Sequence, residues 1–285
     1  MKEKELVFKV SEYNTLSEEL KKNLTRKFYR HLKFLNATIL VNGNPKKLYE
    51  KVNEGETIKI IYKEEEKEFN WPKATKLPNV VFENEHYLIV DKEPELLTIP
   101  TKGNPNSLYQ QLVLYLGIND IHILNRLDKE TSGLVLVAKD RYARSLLEPS
   151  HKHIVRKYLC LVEGKVTSSG RIENYIKKSE DSNKRYISDE GQLAISNYNV
   201  KEIYQDNTLL EFILETGRTH QIRLHTSSMG HPIIGDIMYG NGKGEQLCLT
   251  SYYLEFIDPF TNELVKCEIE KRWWFWKKEK VKSLR

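Results

Sequence analysis

HILNRLDKETSGLVLVAKD, residues 122–140, is the stretch on which the fold turns. Ile121, Ile123 and Leu124 lead in as the end of a buried strand. Lys129–Gly133 forms a polar turn, and Leu134–Ala138 a second, almost uninterrupted apolar strand. Asp128 stands at the mouth between them. Thr131, Ser132 and Gly133 can offer it hydroxyl and backbone N–H donors, and Arg126, two residues before it, is an available counter-charge. An ordinary turn aspartate accepting local hydrogen bonds has the same Asp-x-x-Thr-Ser-Gly pattern, and taken alone the stretch fits that reading better.

Agreement elsewhere in the chain changes the balance. NRLDKETSGLVLVAKD resembles the catalytic motif of the large-subunit ribosomal RNA and tRNA pseudouridine synthases, usually written HRLDxxTSG. Three further segments resemble the same family in the same order: Lys92–Pro100 (KEPELLTIP), Arg156–Gly164 (RKYLCLVEG) and Thr216–Gly240 (TGRTHQIRLHTSSMGHPIIGDIMYG). Together they span most of residues 79–260. The resemblance implies an α+β fold, with a mixed, largely antiparallel catalytic sheet flanked by helices. It also implies an isomerase that acts on uridine inside ribosomal RNA or tRNA.

That reaction breaks the bond from the anomeric carbon to the base nitrogen, turns the base and rejoins it through a ring carbon. It needs no net oxidation, hydrolysis or group donor, so neither a redox cofactor nor a metal is expected. It does need an ionised carboxylate, a group that handles a proton, and a cavity that keeps the detached uracil from water. By resemblance Asp128 is the essential carboxylate and Tyr158 the active-site tyrosine. Tyr158 lies on the face of its strand opposite Lys157 and Leu159, where its ring can stack on uracil. Arg223 is implied to pair with Asp128 by a two-pronged contact from an arginine-rich strand. Arg126 would enter the space left by the flipped nucleotide, and Arg218 and His220 would support the Arg223 strand and touch RNA. Two positions depart from the family pattern. Asn125 replaces the usual histidine and cannot titrate near neutrality, and Glu95 stands where glycine is common.

Composition sets the limits. The 285 residues can bury a substantial core, and a net charge of +5 permits a nucleic-acid partner without requiring one. Cys160, Cys248 and Cys267 are far apart with no CxxC pair, so neither a disulfide framework nor a zinc site is suggested, and a reducing cytoplasm fits best. His220, His225 and His231 lack companions for a metal site. With no apolar run long enough to cross a bilayer, a soluble, intracellular protein is expected; a monomer is expected separately.

At the N-terminus Leu6, Phe8 and Val10 alternate as in a strand, and Leu16, Leu20, Leu24 and Phe28 recur as one buried helix face. Arg26, Arg30 and Lys33 share a basic face, read either as a solvated surface or as a phosphate-binding one. ILVNG (39–43) and EGETIKI (54–60) resemble the strands of the RNA-binding fold named after the fourth small-subunit ribosomal protein, an S4-like fold. The expected division is an S4-like RNA-binding domain over 1–62, a linker over 63–78 and a catalytic domain over 79–285. Ser107 is expected to cap a helix running to Leu116 and stopped by Gly117. In the tail, some of Trp273, Trp274, Phe275 and Trp276 are expected to be covered by the core or by a partner, with stacking on RNA bases the second reading. The rival readings are a catalytically silent RNA-binding or ribosome-assembly protein on the same fold, and an unrelated nucleotide hydrolase using Asp128 and histidines.

Overall fold

Every residue of Ser132–Ala138 is buried, which puts this strand inside a sheet rather than at its edge. The computed structural model describes residues 2–64, 74–118, 120–147, 154–242 and 244–270. In it, Ser132–Ala138 runs antiparallel to Tyr87–Lys92 on one side. On the other it pairs in parallel with Leu249–Ile257, over Ser132↔Thr250 and Gly133↔Ser251. The remaining ladders are antiparallel. The order across the sheet is 185–187, 170–178, 192–203, 207–214, 155–163, 249–257, 132–138, 87–92, 79–83, with His122–Ile123 and Leu264–Glu268 attached at the side. This is the mixed, largely antiparallel α+β arrangement expected from the sequence.

The sheet is covered on both faces. Leu108 and Leu112 of helix Leu108–Leu116 pack with Val135, Val137 and Leu159, while Leu134 and Leu136 pack with Ala143, Leu254 and Phe256. Gly117 ends that helix in the left-handed region, φ 64°, as its sequence position predicts. Ser107 takes the N-cap position but its hydroxyl makes no capping bond and is buried without a partner, which corrects the expected side-chain cap.

In the N-terminal unit, Lys2–Lys9, Thr57–Glu64, Thr38–Val41 and Asn44–Pro45 form a four-stranded antiparallel sheet. The single helix expected from the Leu16–Phe28 repeat is two, Leu16–Asn23 and Arg26–Leu32. Thr25 interrupts it, in extended conformation, by accepting the Phe28 N–H and capping the second helix. All four apolar residues still reach the core, so the repeat survives the break. The core is shared with the catalytic sheet's own elements. Tyr142 of helix Arg141–Leu147 packs its ring 5.1 Å from Phe28 and donates to the Asn23 carbonyl at 3.2 Å. The first unit is therefore docked on the second. Trp71 of the expected linker and the Trp-rich tail lie outside the described residues. Among the described residues no helix is long and apolar enough to cross a membrane.

Candidate active site

Three strands meet at Ser251. Gly133 faces it from the parallel side and Tyr158 from the antiparallel side, where the Val155–Glu163 strand bulges between Lys157 and Tyr158. Gly133 has φ 114°, and a Cβ there would lie 2.2 Å from the Ser251 carbonyl oxygen. Only glycine permits so close an approach in that conformation. The loop carrying Asp128 enters this junction directly ahead of Ser132 and Gly133.

Several contacts fix the loop from below. Asn125 is buried; its amide donates to the Leu134 carbonyl at 3.2 Å and its Oδ1 accepts the Leu136 N–H at 2.7 Å. The residue standing in place of the family histidine thus ties the loop to the strand with a non-titrating group. Thr98 Oγ1 donates to the Leu127 carbonyl at 2.7 Å and accepts its N–H at 3.2 Å. Lys92 is buried and donates to the carbonyls of Glu93, Leu96 and Lys129 at 2.8, 2.7 and 3.1 Å, and burial holds its ammonium down at about 8. Glu95 keeps the left-handed conformation, φ 62°, that glycine would have supplied, and its carboxylate meets Lys129 at 3.1 Å. Sequence reasoning passed over Lys92 and Thr98 because nothing in their spacing marks a loop clamp.

Asp128 is partly exposed at this mouth. Burial pushes its carboxyl above the ordinary carboxylate value, and Glu130 adds to that, while His220, Arg223 and Lys92 oppose it. His220 Nε2 stands 3.9 Å from Asp128 Oδ1. Tyr158 is buried, and burial raises its phenol with a further push from the Asp128 charge, against the pull of Arg156 and of a hydrogen bond with Ser251. Asp128, Tyr158 and Arg223 therefore share one electrostatic neighbourhood.

Arg223 differs from expectation in two respects. It sits on helix Gln221–Ser228, not on a strand; residues 221–226 are all buried, so the sequence carries no amphipathic period that would reveal the helix. Its two-pronged contact is made with Asp236, Nε to Oδ2 and Nη2 to Oδ1, both at 2.8 Å, while Nη1 reaches Glu130 at 3.2 Å. The fork is thus already closed, and Arg223 acts on Asp128 through its field. Asp236 also accepts the backbone N–H groups of Met238 and Tyr239, and its carboxyl is held below the usual range mainly by Arg223, against burial. Asp236 and Tyr239 were missed as site residues, although both lie in the Thr216–Gly240 segment. Their spacing in the chain gives no sign of the residues they meet.

The other basic residues are arranged differently. Arg126 is exposed beside the loop, and Arg218 is exposed with its Nε donating to the Leu193 carbonyl at 2.9 Å. Arg26, Arg30 and Lys33 are exposed on and just after helix Arg26–Leu32 of the N-terminal unit.

Comparison with known proteins identifies the family. The RNA pseudouridylate synthase family model matches residues 86–228. The chain is 31% identical over 251 residues to the "Uncharacterized RNA pseudouridine synthase YjbO" of Bacillus subtilis, covering 84% of this chain and 89% of that one. It is 31% identical over 251 residues to "Ribosomal large subunit pseudouridine synthase D" of Xanthomonas campestris, covering 80% and 76%. In fold it is similar to the solved structure of "Human RNA Pseudouridylate Synthase Domain Containing 1", with a TM-score of 0.57 over 70% of this chain and 85% of that one, at 22% identity. A matched segment that holds the Asp128 loop, Tyr158 and Arg223, joined to relatives aligned over most of their length, makes this chain a member of the RNA pseudouridine synthase family.

Proposed function

We propose that the protein converts specific uridines of ribosomal RNA, with tRNA as the second candidate, to pseudouridine, using Asp128 as the essential carboxylate. The observation that carries this reading is that Asp128, on the loop that enters the Ser251 junction beside Tyr158, interacts electrostatically with both Tyr158 and Arg223. Ribosomal RNA is preferred because the Xanthomonas relative is named for the large ribosomal subunit. The silent RNA-binding alternative gains nothing from relatives that carry synthase names.

In this reading the target nucleotide leaves its stack and enters the mouth beside Asp128. Tyr158 covers the uracil face and handles a proton through its phenol. Arg223, fixed by Asp236, offsets the charge that burial makes unfavourable on Asp128. Arg126 fills the gap left in the RNA, Arg218 holds backbone at the rim, and His220 lines the same mouth. The N-terminal unit acts as an S4-like RNA-binding domain over residues 1–62, with Arg26, Arg30 and Lys33 facing phosphates and residues 79–285 carrying catalysis. The protein works as a monomer in the cytoplasm.

Pseudouridine mapping by chemical modification and primer extension, on RNA from cells with and without the protein, tests this. A position that loses pseudouridine in its absence, and regains it with wild type but not with Asp128→Asn, is expected. Identical maps from both cells, in ribosomal RNA and tRNA alike, would contradict it.

A further inference from the structure

Tyr239 meets both His220 and Arg223, the helix-side neighbours of Asp128. Its phenol oxygen accepts the Arg185 backbone N–H at 2.8 Å and is hydrogen-bonded to His220 Nδ1, also at 2.8 Å. Its backbone N–H donates to Asp236 Oδ1 at 3.0 Å, and its ring lies 5.4 Å from the Arg223 guanidinium carbon. His220 is held in the left-handed region, φ 60°, where few side chains other than those of His, Asn and Asp are found. That conformation opens helix Gln221–Ser228 and turns the imidazole back toward the catalytic loop.

The phenol has one proton, and with Arg185 donating to its oxygen, His220 Nδ1 is the other atom bonded to it among the described residues. If Nδ1 accepts, the neutral imidazole carries its proton on Nε2, the nitrogen 3.9 Å from Asp128 Oδ1. That gap exceeds a hydrogen bond, yet is short enough for the N–H dipole to act on the carboxylate.

We propose that Tyr239 and His220 form a positioning pair for the synthase reaction: Tyr239 holds the imidazole in the tautomer that aims an N–H at Asp128, and so favours the ionised carboxylate. This rests on the reading of Asp128 as the essential acid. The groups facing His220 are Asp128 and Glu130 from the catalytic loop, Arg223 from its own helix, Arg185 from the neighbouring strand, and Tyr239. Burial and the two arginines favour the neutral ring over the two acids, as the tautomer requires.

The test uses the full-length protein without RNA. Long-range ¹H–¹⁵N correlation of the imidazoles reports the tautomer, and ¹³C carboxyl titration reports Asp128, in wild type, Tyr239→Phe, His220→Gln and His220→Ala. Expected are the Nε2–H form in wild type, a mixture of forms in Tyr239→Phe, and an Asp128 midpoint raised by about half a pH unit or more in Tyr239→Phe and His220→Ala. His220→Gln, which keeps an N–H donor, should stay closer to wild type. An Nδ1–H ring in wild type, equal midpoints in all four proteins, or a glutamine variant shifted as far as the alanine would overturn the proposal. Failure of the synthase reading would appear separately, as unchanged pseudouridine maps alongside intact titrations.

Discussion

Arg223 and the Arg26–Arg30–Lys33 face use the same kind of charge in opposite surroundings. Arg223 is 3% exposed and its fork is closed on Asp236, itself 1% exposed. The N-terminal cations stand in solvent on a short capped helix and its end. A buried, paired guanidinium contributes geometry and local field, and its loss leaves an uncompensated charge behind. An exposed cation contributes a salt-screened attraction and can be removed with little consequence for folding. Position in the fold, more than residue type, separates a residue that shapes the reaction from one that gathers the substrate.

The sharpest way to break this contrast is Arg223→Met. It strands Asp236 in the interior and should cost about 3–5 kcal/mol in urea unfolding, together with activity. A loss below about 1 kcal/mol would mean that the pair is not the brace described.

On the same helix, burial holds the His225 imidazole down at about 4, against an ordinary 6.5. Between those values the unfolded chain binds the additional proton, so stability is full above pH 6.5 and falls as pH drops toward 4. The contribution is at most about 3.5 kcal/mol. Unfolding free energies at pH 7 and pH 4.5 should therefore diverge less in His225→Asn than in wild type, while parallel curves would remove His225 from the acid sensitivity.

Asn125→Ala leaves the Leu136 N–H and Leu134 carbonyl without their side-chain partner, with an expected loss of about 1–3 kcal/mol in the same unfolding measurement. Asn125→His, which restores the family residue, should keep catalysis because the position anchors the loop without titrating. The smallest structural effect belongs to the other side of the comparison. Replacing Arg26, Arg30 and Lys33 together with alanine should leave stability within about 0.5 kcal/mol. RNA affinity should fall, with the slope of log K against log salt shallower by about 2 to 3. An unchanged slope would remove that face from RNA binding.

Where hydropathy carried a period, the sequence was legible. The alternation of Leu6, Phe8 and Val10, the apolar run Leu134–Ala138 and the Leu108–Leu112 spacing all became the elements they suggested. Two kinds of feature were hidden. Helix Gln221–Ser228 begins with six buried residues in succession, so no face is exposed to mark its period, and an arginine-rich strand was the expectation. The break at Thr25 was masked because the residues on both sides of it enter one core. Partner choice within the site was also illegible. That Arg223 closes on Asp236 rather than on Asp128, and that Tyr239 meets His220, depends on how a turn folds back over a helix, which spacing along the chain does not encode.

The most direct measurement is single-turnover pseudouridine formation by purified wild type and Asp128→Asn on a large-subunit ribosomal RNA transcript, with no added cofactor and with RNA binding measured in parallel. If a buried-edge carboxylate performs the rearrangement, Asp128→Asn should bind RNA as wild type does and lose turnover by about a thousandfold or more. Turnover within tenfold of wild type at equal RNA affinity would contradict the role of Asp128.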